Sequence, residues 1–223
     1  MLAEFLVLLG TFDVGDFIPS LNWVSGLNGF NVRVKKCFEE FDTFFERDMF
    51  AAGTDTVHTV IDWAMAELIK HPSMMMKARD EVDRTIGTES MIKEDDTEKM
   101  SYLKMIIKEV LRLHPPLPLL VPRESTEEIE LFGYSLPTKM RVFVNAWAIG
   151  RDTESWKDPE EFYPERFANT AVDFEGKDFE LIPFGAGRRG CPGIHFATPT
   201  IYLAIASLLH LFDWELPGEN TTL

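Results

Sequence analysis

Apolar and polar positions along most of this 223-residue chain recur with the period of amphipathic helices. The pattern predicts helices over Arg33–Arg47, Asp48–Lys70, Ser73–Ile86, Thr97–Leu113 and Pro192–Phe212. Within the fourth, the leucines, isoleucines and methionine of Tyr102–Leu113 share one face. His114, Pro115 and Pro116 follow and end it, because proline removes a backbone donor and clashes with the preceding turn. Glu128–Leu131 and Arg141–Asn145 alternate as short strands do. Pro199 falls inside the last predicted helix, where proline costs about 3 kcal/mol or kinks the axis. The expected fold is mainly α with small β-sheet elements.

With 45% hydrophobic residues the chain suffices for one globular core. A formal net charge of -15 and a pI near 4.7 argue against nucleic acid and against electrostatic adhesion to anionic lipid. No uninterrupted apolar run reaches the roughly 18 residues expected of a bilayer span. Met1–Phe12 is apolar but contains Glu4 and lacks a basic leader, which makes it a poor signal peptide. Tandem repeats and low-complexity tracts are absent. Cys37 and Cys191 are too few for a disulfide framework, and no paired-cysteine spacing suggests zinc or an iron–sulfur cluster.

Chemistry concentrates around Cys191, in Phe184-Gly185-Ala186-Gly187-Arg188-Arg189-Gly190-Cys191-Pro192-Gly193. Glycines permit positive φ and let backbone approach a flat ligand. Pro192 suits the first position of the following helix, which sets Cys191 at a helix N-terminus. There the dipole favours the thiolate. An anionic sulfur in a glycine cradle, with arginines nearby for acidic groups, is what a thiolate-ligated haem requires. The plainer alternative is a free cysteine buried in a glycine-rich turn.

This loop matches the pattern Phe-x-x-Gly-x-Arg-x-Cys-x-Gly of the cytochrome P-450 superfamily, with Phe184, Gly187, Arg189, Cys191 and Gly193 filling its fixed positions. Three further segments resemble that family in the expected order. Glu109-Val110-Leu111-Arg112 places acid and base on one helix face, a spacing that alone would equally suit a surface pair. The resemblance adds Arg166, from Phe162-Tyr163-Pro164-Glu165-Arg166-Phe167, to make a buried triad. Ala51-Ala52-Gly53-Thr54-Asp55-Thr56 resembles the oxygen-binding stretch of the family's long helix. Thr56 is expected to bond back to the Ala52 carbonyl and open the helix locally. Asp55 and Thr56 would relay protons. Leu117–Val121 would line a substrate pocket beside the haem, and Arg123 with Arg189 would hold its propionates. Val57 stands where the family usually has a second hydroxyl.

The resemblance therefore implies a haem-thiolate monooxygenase of plant microsomal type with haem b held by Cys191, Arg189, Arg123, Phe184 and Gly193. It implies electrons from NADPH through a flavoprotein reductase, a small hydrophobic substrate and an endoplasmic reticulum location. It covers essentially the whole chain, while the chain corresponds to under half of a family member, a C-terminal half truncated at both ends. One incomplete domain is expected, with residues 1–47 a mid-chain piece and 48–223 the haem-binding core. Arg47–Phe50 meets Ala51 with no room for the intervening family segment, which implies an internal deletion. An inert or merely haem-binding fragment is the alternative. A haem-thiolate protein that rearranges a peroxide or dehydrates a substrate without dioxygen is a third possibility, against which Asp55 and Thr56 argue.

Overall fold

A computed structural model of the chain describes residues 30–87 and 91–215. The expectations for Met1–Trp23 and for the residues after Glu215 lie outside them. Contacts gather the chain into two compact units, Met1–Thr54 and Asp55–Leu223.

Helix α1 runs from Phe30 to Lys70. The sequence predicts two helices here, divided between Arg47 and Asp48. No proline or glycine stands at that junction, so nothing stops the hydrogen-bond ladder, and one helix results. In the first unit Cys37 is buried and Thr43 Oγ1 donates to the Glu39 carbonyl at 2.8 Å. In the second unit the α1 residues Val60, Ala64 and Leu68, four apart, enter the core.

The core of the second unit is a packing of helices. Helix α2 (Pro72–Ile86) has proline at its start, where the missing N–H costs nothing, and buries Ala78, Val82 and Ile86. The predicted Thr97–Leu113 helix divides into a single turn, α3 (Glu94–Thr97), and α4 (Ser101–Leu113). Between them Met100 is buried, and α4 starts on a carboxylate from α2. Glu81 accepts the backbone N–H groups of Tyr102 and Leu103 at 2.8 and 2.9 Å, and the Ser101 hydroxyl at 3.1 Å. It thereby satisfies first-turn donors that α4 leaves without intrahelical partners and puts negative charge at the positive end of the helix.

Four short strands follow. β1 (Arg123–Glu124) pairs antiparallel with β4 (Arg141–Val142), and β2 (Ile129–Leu131) with β3 (Tyr134–Leu136). The two strands expected from sequence lie in separate two-stranded sheets rather than in one. β3 was hidden because Phe132-Gly133, both at positive φ, return the chain onto β2 after only two residues. A one-turn helix α5 (Ala146–Ile149), two 3₁₀ turns (Pro164–Phe167 and Gly187–Arg189) and helix α6 (Ile194–Leu211) complete the elements among the described residues.

α6 is long and apolar enough to cross a membrane by length and composition, although its apolar residues are interrupted by His195, Thr198, Pro199, Thr200, Ser207 and His210. One face of it, Ile201, Tyr202, Ile205, Ala206 and Leu209, packs into the core. Pro199 lies inside without ending the helix. The flanking threonines bond back along it, Thr198 to the Ile194 carbonyl at 2.7 Å and Thr200 to that of Phe196 at 2.8 Å.

Two substitutions test this framework. Glu81→Ala should lower the unfolding free energy by about 1–2 kcal/mol, read by thermal or urea denaturation, because first-turn donors of α4 lose their acceptor. Gly150→Ala should cost more than Glu81→Ala, since a Cβ there would collide with the carbonyl of Arg112.

Candidate functional site: the Cys191 loop and its supports

Three structural features converge on Cys191. The loop itself is shaped by glycine. Gly185 and Gly187 adopt φ of 74° and 68°, backbone that side-chain-bearing residues rarely accept. The Gly185 N–H donates to the Ile182 carbonyl at 2.9 Å and the Cys191 N–H to the Phe184 carbonyl at 2.9 Å, closing residues 184–191 into a ring of chain. Gly176, at φ 83°, backs the loop so closely that a Cβ on it would lie 3.0 Å from the Gly185 carbonyl oxygen. Phe184 is half-buried against the core, its ring 5.5 Å from that of Phe174, and so anchors the start of the loop.

Cys191 is an exposed free thiol. The plainer expectation of a buried cysteine does not hold. Helix α6 begins at Ile194 with Gly193 as its N-cap, so Pro192 lies just outside the helix rather than at its first position. An irregular approach through Gly190–Gly193, with a turn at Pro192 and Gly193, takes up the two residues that the sequence assigned to the helix. A Cβ on Gly193 would lie 3.8 Å from the Cys191 sulfur, so that sulfur rests against the helix cap, at the positive end of the dipole.

Arg189 is exposed on the 3₁₀ turn of the loop. Arg123 reaches the same loop from β1, its Nη2 3.7 Å from where a Gly185 Cβ would stand. Leu120 reaches it too, Cδ1 being 3.8 Å from that point. Two guanidinium-bearing side chains and an apolar contact thus belong to the cysteine loop and its neighbour. Asp55 and Thr56 lie on α1, Asp55 exposed and Thr56 half-buried. The expected local opening of the helix is not found, since α1 stays α-helical throughout. The Asp55 carbonyl accepts the hydroxyl of Thr59 at 2.8 Å, a four-residue spacing that is readable in the sequence.

The triad forms. The Glu109 and Arg112 side chains are fully enclosed. Arg112 grips Glu109 with two parallel bonds, Nε to Oε2 at 2.8 Å and Nη2 to Oε1 at 2.7 Å. Arg166 Nε adds a third at 2.9 Å, and the Tyr163 N–H a fourth at 2.8 Å. The remaining guanidinium donors go to backbone carbonyls: Arg112 to Gly150, Pro159 and Glu161, and Arg166 to Lys157, Asp158 and Glu161.

A metal ion fits this donor set only as part of a larger group. Among the described residues there is no cluster of three or more His, Cys, Asp or Glu side chains that would hold a bare ion. One exposed sulfur, a glycine surface with nothing within 4 Å of a Gly187 Cβ, and arginines beside it suit a metal whose other ligands come from a flat, acidic macrocycle.

Comparison with known proteins defines the class. The Cytochrome P450 family model matches residues 46–223, and the chain belongs to that family. Members carry haem and receive electrons from a redox partner. Among curated proteins, Cytochrome P450 71A1 of Persea americana is 45% identical over 268 residues, covering 98% of this chain and 53% of the relative. Cytochrome P450 71A8 of Mentha piperita is 44% identical, with 98% and 52% covered, and Norfluorocurarine oxidase of a Strychnos species is 41% identical, with 98% and 53% covered. A zebrafish cytochrome P450 solved with abiraterone superimposes with TM-score 0.70 at 32% identity, over 78% of this chain and 40% of that one. The chain thus spans about half the length of the curated relatives it matches. The alignment to the Persea protein is longer than the whole chain, so that relative has internal residues with no counterpart here.

Glu109→Ala leaves two buried guanidinium groups without their carboxylate. It should destabilise the chain by about 3–5 kcal/mol and abolish haem incorporation, measured by denaturation and by haem content after reconstitution. A variant with full haem occupancy would refute this.

Proposed function

We propose that the chain is the cysteine-ligand-bearing part of a haem-thiolate monooxygenase that inserts one atom of dioxygen into a small hydrophobic specialised metabolite. The observation that carries this reading is the exposed sulfur of Cys191, set between left-handed glycines and the cap of α6 with Arg123 and Arg189 at hand. Norfluorocurarine oxidase, by its name an oxidase, supports a specialised-metabolite substrate.

Cys191 is the metal ligand in this reading. Haem b would supply dioxygen activation, with the thiolate donating electron density that favours O–O cleavage. Arg189 and Arg123 bind the two acidic side arms of the macrocycle, as planar guanidinium forks bind carboxylates. Gly193 and Gly187 keep side chains out of the flat approach, and Phe184 holds the loop to the core. Asp55 and Thr56 hold and move protons, the carboxylate taking them from solvent and the hydroxyl passing them inward. Leu117–Val121, with Leu117, Leu119 and Val121 exposed, offers the apolar surface for substrate. Electrons originate from NADPH and arrive through a flavoprotein reductase, and the full-length enzyme resides on the cytosolic face of the endoplasmic reticulum membrane.

The same exposed leucines and valine, together with Phe143 and Phe196, favour a second reading, in which the isolated chain is a haem binder or inert piece without turnover. The ferrous–CO spectrum of the reconstituted chain separates the two and tests the ligand. A thiolate-type, red-shifted Soret band is expected for the wild type and should vanish in Cys191→Ser. Unaltered absorption in that variant would sink the assignment.

A further inference from the structure

Between the end of α4 and β1 the chain runs through residues 114–122 with neither helix nor strand, so point contacts set its course. Leu120 in this stretch has φ 51°, and its N–H bonds back to the Leu117 carbonyl at 3.0 Å. A leucine holds that left-handed backbone only where its surroundings over-determine it. In the middle, the Trp147 N–H donates to the Pro118 carbonyl at 3.1 Å. At the far end Leu120 and Arg123 meet Gly185 of the cysteine loop.

The near end is held by a side-chain constellation for which the sequence offered no role. The His114 ring lies parallel on Trp63 of α1, with centroids 3.9 Å apart and planes 2° off parallel. Its Nε2 is 2.9 Å from Glu67 Oε1, and because a carboxylate only accepts, that nitrogen donates. Both side chains are largely enclosed, His114 16% and Glu67 10% exposed. The His114 hydrogen bond, opposed by desolvation, holds the Glu67 carboxyl below the usual carboxylate range, with Lys70 and His71 adding smaller attractions. His71 itself points Nδ1 at the Glu67 carbonyl, 2.8 Å away. Helix α4 does not need this arrangement in order to end. The His114 N–H reaches the Val110 carbonyl at 2.7 Å, and Arg151 caps the Leu113 carbonyl at 2.7 Å.

We propose that Glu67 and His114 are positioning residues for the Cys191 loop. They fasten the start of the 114–122 stretch to α1, so that Leu120 and Arg123 arrive against Gly185. This extends the haem-ligand reading of Cys191 and assigns a purpose to a buried acid–imidazole pair more than 70 residues before that cysteine. Removing the bond releases one end of an irregular segment, and the freedom passes through Leu120 and Arg123 to the loop. Helix α2 begins beside His71, which contacts Glu67, so only its far half, residues 79–86, serves as a distant reference.

Hydrogen-exchange mass spectrometry on the 223-residue chain tests this without any cofactor. His114→Phe keeps an aromatic ring for Trp63 but loses the donor, and Glu67→Met removes the acceptor. Each should speed exchange about fivefold or more in peptides covering 117–124 and 184–192, with residues 79–86 of α2 unchanged. The double variant should be no worse than either single one, as expected when both act through one bond. His114→Gln, whose amide still donates to Glu67, should stay near wild type, and Glu67→Met carries the measurement if His114→Phe does not fold. Exchange that rises evenly across residues 79–86 of α2 as well, or not at all, or doubles up in the double variant, overturns the proposal. A wild type without the thiolate Soret band would defeat the haem assignment while leaving the exchange pattern to judge this pair.

Discussion

The enclosed carboxylate of Glu109 is the constraint on which the rest of the second unit depends. It is an anion without water, and it is tolerable only because four donors surround it: two from Arg112, one from Arg166 and the Tyr163 backbone N–H. Those arginines are in turn satisfied by carbonyl oxygens of Gly150, Lys157, Asp158, Pro159 and Glu161, a stretch with almost no regular structure. A helix or strand would pair such carbonyls within the backbone. Here guanidinium groups take that place, and one helix face becomes the template for an irregular loop. Net stabilisation is not its main effect, because the desolvation of three charges opposes their attraction. What the network specifies is a single path for the chain that leads from α5 to the cysteine loop.

Packing supplies the stability that the ion network does not. Ile106, Ile107 and Val110 of α4 are wholly enclosed, as are Ile205 and Ala206 of α6 and Ala78 and Val82 of α2. The polar contacts that cross these helices sit at their margins. Lys77 lies 3.9 Å from the Tyr102 ring and bonds Glu165 at 2.7 Å. Tyr102 donates to that same Glu165, and burial with the neighbouring carboxylates keeps its phenol protonated well above the ordinary range. Lys108 bridges to Asp173 and the Val172 carbonyl at 2.9 Å each. Lysine serves at these margins, where a flexible point charge suffices. Arginine is used wherever several fixed acceptors must be met at once.

Much of this was legible in the chain itself. The apolar period of Tyr102–Leu113 and the prolines after it gave α4 its end, because both are local signals. The spacing of Glu109 and Arg112 gave half of the triad, and the family resemblance supplied Arg166, which no local pattern could. The cysteine loop was readable because glycine permits backbone that other residues avoid and proline fixes its own. What failed was set by partners distant in sequence. The start of α4 depends on Glu81, some 20 residues earlier. β1 exists because β4 lies beside it, and strands of two or three residues, β3 among them, carry too little alternation to be seen alone. The unbroken α1 is the opposite case, in which the absence of a breaker outweighed an expected boundary.

The two sides of the cysteine loop differ in a way that bears on its chemistry. Its inner side is fully specified: Phe184 in the core, Gly176 pressed against Gly185 and Ala186, and the Cys191 N–H tied to Phe184. On its outer side the loop offers glycine backbone and an exposed sulfur. Backbone geometry rather than side-chain packing therefore presents the thiol. A ligand held in that way keeps its place only if the inner contacts do not yield, and each of them is short-range and directional. The buried triad matters to the sulfur for that reason: it orders the chain that supplies Phe184 and Gly176.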